Sequence, residues 1–255
     1  MKFMYRELLL TCFVLILSLL TLVGEAQVSL LEQIERLQPA IVSIKSLNTE
    51  IFQKPGMHAA LDRKTGRVVV LRRLHGGSYN RFGAGVIVHE SGIIVTNAHN
   101  IINADRITVI LNDHTELLAK VLLVTKDMDF GFIQVDLPYP ITPVALANAD
   151  EIKLGDEIIT VGNSPLLKQT ISGGKIIGLG NSRTQKRQGQ KRTDLIQTTV
   201  NLYESDSGGP LFDRKGHLLG LMTAKETAVD HSSFAIPANQ IHRFLQEYLH
   251  GLRHE

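Results

Sequence analysis

Beyond residue 40 the chain runs in short stretches of alternating or continuous apolar residues, separated by Gly, Pro, Asn and Asp. Ala40–Leu47 alternates Ile41, Ser43 and Lys45 with Val42 and Ile44, which predicts a first strand. Gly83–Val88 and Ile93–Thr96, joined by a turn over His89–Gly92, predict a hairpin. Ile107–Leu111, Leu117–Val124 and Phe130–Val135 read as three more strands. The series continues with Ile158–Gly162, Gln169–Leu179, Leu195–Val200, Pro210–Phe212, Leu218–Thr223 and Phe234–Ile236. Between the first strand and the hairpin, Thr49–Arg81 predicts a long surface excursion carrying a strand or hairpin around Val68–Leu71. Helical spacing occurs at Leu30, Leu31, Ile34 and Leu37, and again after Pro237 at Ile241, Phe244, Leu245, Tyr248 and Leu249. Many short strands with one closing helix predict an all-β sandwich or barrel, a single unit of two lobes dividing near residues 137–150.

The first residues follow a different rule. Lys2 and Arg6 precede an apolar run from Leu8 to Val23, and Gly24-Glu25-Ala26 ends it on small residues. This predicts a secretory signal peptide over residues 1–26, the alternative being an uncleaved membrane anchor. The run is short of the ~20 residues a spanning helix needs. Cys12, the one cysteine, lies inside it, so the mature chain from Gln27 to Glu255 would enter an exported compartment, periplasmic or secreted, with no disulfide. A net charge of +2 gives no reason to expect nucleic acid. Asn181–Asp194, with Arg183, Lys186, Arg187, Lys191 and Arg192, reads as a solvated basic loop in preference to a docking site for an acidic partner.

Candidate chemistry narrows the class. Glu204-Ser205-Asp206-Ser207-Gly208-Gly209-Pro210-Leu211 places a serine before two glycines and a proline, between apolar runs. The glycines relax the backbone beside a hydroxyl, as a nucleophilic serine needs. A plain surface turn would use the same residue types. Serine also requires a base and a carboxylate that fixes the base's tautomer. His99 and Asp129 stand at the ends of strand-like runs, in the chain order His, Asp, Ser. Asp127 remains an alternative carboxylate and Ser205 an alternative nucleophile. Asp129-Phe130-Gly131 matches a kinase triplet by chance, and Gly83-Ala84-Gly85 precedes a strand, so it is no dinucleotide loop. His250 and His254 near the C-terminus are weak metal candidates; no metal and no cofactor are expected.

Thr96-Asn97-Ala98-His99 after the hairpin, Asp129 before an apolar strand and Ser207-Gly208-Gly209-Pro210-Leu211 resemble the trypsin-like HtrA/Deg serine proteases. Gly162-Asn163-Ser164-Pro165, Ile196-Gln197-Thr198 and Phe234-Ala235-Ile236-Pro237 add to the resemblance, which extends from about Leu30 to Tyr248. It implies a chymotrypsin-type double six-stranded β-barrel with a C-terminal helix. It implies a serine endopeptidase in which His99 is the general base, Asp129 orients it and Ser207 is the nucleophile. The oxyanion hole would be the backbone N–H groups of Ser205 and Ser207, and Asn201, Leu202 and Tyr203 would line the substrate pocket. Asn201 stands where enzymes cutting after Lys or Arg carry aspartate, so another preference is implied. Polypeptide substrates, a role in protein quality control and a homotrimer with Tyr79 and Phe82 as contacts are further implications. No PDZ domain is expected, and membrane association only through an uncleaved leader.

Departures from the family pattern support an alternative, a catalytically impaired protease fold that binds peptides or a protein partner. Ser205 replaces a glycine, which would strain the oxyanion loop. Asp206 resembles the trypsin branch, in which that residue meets a newly cut N-terminus; Gln27 is unsuited to that role. Tyr203 and Glu204 also differ from the family. Asn100 and Gly131 replace an apolar residue and an alanine and are expected to loosen packing around the base and the carboxylate.

Overall fold

A computed structural model of the chain describes residues 32–52, 57–61, 68–72, 75–162, 170–180, 195–201, 206–225 and 232–252. Residues 32–37 form helix α1, which a 3-10 turn at Gln38–Ala40 ends, with Pro39 inside the turn. Strands β1 (Ile41–Phe52), β4 (His75–His89), β5 (Ile93–Asn97), β6 (Arg106–Ile110), β7 (Glu116–Leu118), β8 (Lys120–Thr125) and β9 (Phe130–Gln134) form one seven-stranded sheet, ordered β7-β6-β1-β4-β5-β9-β8. A separate hairpin, β2 (Met57–Leu61) with β3 (Val68–Arg72), lies in the predicted excursion. The flanks of that excursion are not loop: β1 and β4 stay paired from Ile41↔Val86 to Phe52↔His75.

The second lobe is a closed barrel of six strands, β10 (Glu157–Gly162), β11 (Thr170–Leu179), β12 (Ile196–Thr198), β13 (Pro210–Phe212), β14 (Leu218–Lys225) and β15 (Ser233–Pro237), ordered β10-β11-β12-β15-β14-β13. Two lobes of antiparallel strands with one closing helix match the implied fold. The first differs in having seven strands, because the apolar run at Leu117–Val124 breaks at Ala119. Its N–H turns to Ile107 O, so β7 pairs with β6 and β8 with β9.

The central strands are buried on both faces, β5 along its whole length, while β6 alternates. Ile41, Ile44, Ile87, Ile94, Phe130 and Phe132 are fully buried in the first lobe, and Ile158, Ile176, Ile196, Leu211 and Met222 in the second. Each such side chain contributes about 1.5–3 kcal/mol of transfer free energy. Helix α3 (Ala238–Leu252) follows β15 directly and returns to the first lobe, where Phe244 meets Phe130 edge-on at 5.4 Å between ring centres. The last element thus clamps the sheet that carries the start of the site.

Candidate active site

Two neighbouring strands of the first sheet present His99 and Asp129. β5 and β9 are antiparallel with Asn97 opposite Phe130, so the residues just after β5 and just before β9 emerge at the same sheet end. The turn that leads into β5 needs Gly92, at φ 78°, because a Cβ there would stand 2.1 Å from Val135 O. After β5 the chain enters a single helical turn, α2 (Ala98–Ile101), with His99 in it. Asp129 adopts φ 58°, a left-handed conformation that aspartate tolerates better than most residues. Its carbonyl is held twice, by Ala98 N–H at 3.0 Å and by Asn97 Nδ2 at 3.0 Å.

The carboxylate is thereby aimed at the imidazole. His99 Nδ1 lies 2.9 Å from both oxygens of Asp129, and the His99 N–H donates to Oδ1 at 3.2 Å. Thr223 of β14 donates its hydroxyl to Asp129 Oδ2 at 2.7 Å. With Nδ1 facing a carboxylate, that nitrogen carries the proton and Nε2 is left as an acceptor. Asp129 is buried, whereas the His99 side chain is 40% exposed and reachable from solvent. Asp127, the alternative carboxylate, is exposed.

Ser207 comes from the other lobe. It precedes β13 at a bend where Gly208 has φ 90° and the Gly209 N–H returns to Asp206 O at 2.9 Å. The Gly208 N–H donates to Met222 O at 2.8 Å, and Ser207 O accepts from Ala84 N–H at 2.9 Å. A Cβ on Gly208 would lie 2.2 Å from Ala84 O, so only glycine lets the lobes meet this closely. Ser207 Oγ then stands 3.0 Å from His99 Nε2 and 2.8 Å from Asn97 Oδ1, to which it donates. The predicted His99, Asp129 and Ser207 are brought together, with Asp129 on one ring nitrogen and Ser207 Oγ within reach of the other.

This order of carboxylate, imidazole and hydroxyl is the arrangement that can activate a serine. Residues 83–221, more than half of the chain, match the trypsin-like peptidase domain model. The chain belongs to the trypsin-like peptidases. It is 30% identical over 223 residues to serine protease HTRA1A of Danio rerio, covering 84% of this chain and 40% of that protein. It is 30% identical over 225 residues to the periplasmic pH-dependent serine endoprotease DegQ of Escherichia coli K12, covering 87% of this chain and 48% of that one. The chain thus spans less than half the length of either relative. Among solved structures, HtrA-type protease AlgW with decapeptide superposes with a TM-score of 0.66 at 26% identity, over 87% of this chain and 67% of that chain. Within the trypsin-like peptidases, then, the similarity is to the HtrA type.

The remaining sequence candidates fall out as follows. Ser205, Leu202 and Tyr203 lie outside the described residues, as do residues 1–26 and the basic loop over residues 181–194. Asn201 is half-buried, and its Oδ1 has no hydrogen-bond partner among the described residues. Asp206 is buried, its carboxylate near the place that a Cβ on Gly162 would occupy. Tyr79 accepts from Arg81 Nη2 at 2.9 Å, while Arg81 Nη1 donates to His99 O at 3.0 Å; Phe82 is exposed. His250 is exposed, and no group of three metal-ligating side chains occurs among the described residues. No described helix is long and apolar enough to cross a membrane.

Two departures from the family behave differently from expectation. Asn100 does not loosen the site: its Nδ2 donates to Ser207 O at 2.9 Å and to Thr96 Oγ1 at 3.1 Å, filling the notch left by Gly83. Gly131 is close-packed, since a Cβ there would come within 2.6 Å of Leu123 O. Sequence reasoning gave no role to Asn97 or Thr223. Asn97 stood in the quoted motif and Thr223 at the end of a strand run, and their partners are distant in sequence.

Proposed function

We propose that this chain is an exported serine endopeptidase that cleaves polypeptides through an acyl-enzyme. His99 is the base, Asp129 its orienting carboxylate and Ser207 the nucleophile. The observation that carries this reading is His99 standing between Asp129 at 2.9 Å and Ser207 at 3.0 Å, with an exposed ring edge. In acylation the Oγ–H bond breaks, the proton passes to Nε2, and Oγ bonds to the substrate carbonyl carbon. The imidazolium then gives that proton to the leaving amine, and water repeats the sequence to release the acid. The Ser207 N–H has no acceptor among the described residues, which suits an oxyanion donor. Ser205 would supply the second donor, and Asn201, Leu202 and Tyr203 the wall of the substrate pocket. Export rests on the apolar leader and on the periplasmic relative DegQ. Peptide substrates are supported by the HtrA-type relatives, a decapeptide among their ligands. Quality control and a homotrimer through Tyr79 and Phe82 stay with the family resemblance.

Labelling of the purified protein with a fluorophosphonate tests the reading. Wild type is expected to label and to digest casein, and Ser207→Ala to do neither. Wild type that stays unlabelled while Ser205→Gly labels would replace the reading with an impaired protease. Silence of both would overturn it.

A further inference from the structure

The Ser207 hydroxyl carries one proton and faces two acceptors, His99 Nε2 at 3.0 Å and Asn97 Oδ1 at 2.8 Å. The orientation of the Asn97 amide is not arbitrary. Its Nδ2 faces Asp129 O at 3.0 Å, a carbonyl that can only accept, so the other end presented to Ser207 must be the oxygen. Asn97 is fully buried, and Ser207 Oγ is the donor that its Oδ1 has. If the hydroxyl proton turned to His99, two bare oxygens would face each other at 2.8 Å and a buried acceptor would lose its donor. The proton therefore rests on the Asn97 side, and Ser207 does not donate to Nε2 in the resting arrangement.

We propose that Asn97 is a positioning residue that latches the Ser207 hydroxyl proton away from His99, slowing acylation while it holds Oγ in place. The proposal rests on the endopeptidase reading for its kinetic consequence, though not for the placement of the proton. During acylation the proton must reach Nε2, and Asn97 Oδ1 is then left facing an oxygen with no hydrogen. Asn97 thus stabilises the resting state more than the transition state, and an interaction of that kind lowers kcat. The other bond of the same amide is expendable, because Asp129 O keeps the Ala98 N–H.

The test uses Asn97→Ala and Asn97→Leu; leucine has the branching of asparagine without its donor or acceptor. Labelling by fluorophosphonate is expected to quicken by several-fold up to about tenfold, the size of one hydrogen bond to a buried acceptor. kcat for a peptide substrate should rise with KM little changed, while thermal stability falls. A merely structural Asn97 would lower rate and stability together, and that result would overturn the proposal. The proton can also be followed directly through the 15N resonance of neutral His99 Nε2, which moves upfield when the nitrogen accepts a hydrogen bond. Ser207→Ala in the otherwise wild-type chain is expected to leave that resonance in place, and Asn97→Ala to move it upfield. A downfield move on Ser207→Ala would place the proton on His99 already and sink the latch. The Ser207→Ala arm needs no Asn97 variant to fold. It also separates the two readings: absent labelling defeats the endopeptidase, and the resonance alone decides the latch.

Discussion

His99 and Asp129 belong to one sheet, Ser207 to another, and the two halves of the site are held in different ways. His99 and Asp129 flank β5 and β9, adjacent strands whose ladder fixes their separation through ordinary backbone pairing. Ser207 is brought to them by a few polar contacts between lobes: Ala84 N–H and Asn100 Nδ2 to its carbonyl, and Thr223 from the barrel to Asp129. A pair set by a ladder is as robust as the sheet. A pair set across a junction depends on whichever side chains happen to bridge it. Damage should therefore separate the two halves of the site, Ser207 shifting before the His99–Asp129 pair does.

Gly208→Ala is the strongest way to force that separation. Its φ of 90° and the 2.2 Å approach to Ala84 O leave no room for a Cβ. Loss of labelling is expected, with at least about 2 kcal/mol of stability in urea unfolding. The downfield Nδ1–H proton of His99 should persist in the NMR spectrum; if it vanishes as well, the lobes are not independent. Asn100→Ala should come next. Ser207 O retains Ala84 N–H, so we expect a loss of about 1 kcal/mol and labelling slowed several-fold. Thr223→Val keeps the shape of the side chain and removes its donor, while Asp129 Oδ2 keeps His99 Nδ1. A two- to threefold slowing, roughly a half of a hydrogen bond's usual worth, would be read in the same labelling assay.

The smallest effect belongs to a contact remote from the site. Tyr139 donates to Asp113 at 2.6 Å on the surface, which holds the Asp113 carboxyl below its ordinary range and pushes the Tyr139 phenol up. A depressed carboxyl adds stability above its unfolded pKa that is lost as pH falls through the folded value. A raised phenol adds stability that is lost as pH climbs through its folded value. Tyr139→Phe should return the Asp113 titration toward normal in a carbon NMR titration, with labelling unchanged.

The same division explains what could be read from the chain. Strands were legible because short apolar runs such as Val86–Val88 and Ile93–Val95 are bounded by turn residues, His99 because it follows such a run, and Ser207 because two glycines follow it. The break at Ala119 was hidden, since an alanine inside an apolar run carries no turn signal; what breaks the strand is a hydrogen bond to Ile107. Asn100 was misread as a packing fault because its partner, the Ser207 carbonyl, lies far along the chain in the other lobe. Asn97 and Thr223 were silent for the same reason. Local pattern reports which residues need unusual backbone; it does not report who meets whom across a junction.

The order of the two lobes along the chain has a consequence in time. A polypeptide that emerges N-terminus first completes β9, and with it the His99–Asp129 pair, well before Ser207 appears. The barrel that seats Ser207 closes only when β15 pairs with both β12 and β14, just before the final helix. Throughout that interval the growing chain holds the His99–Asp129 pair without its third member. The juxtaposition of Ser207 with His99 is thus completed late, after the rest of the site has formed.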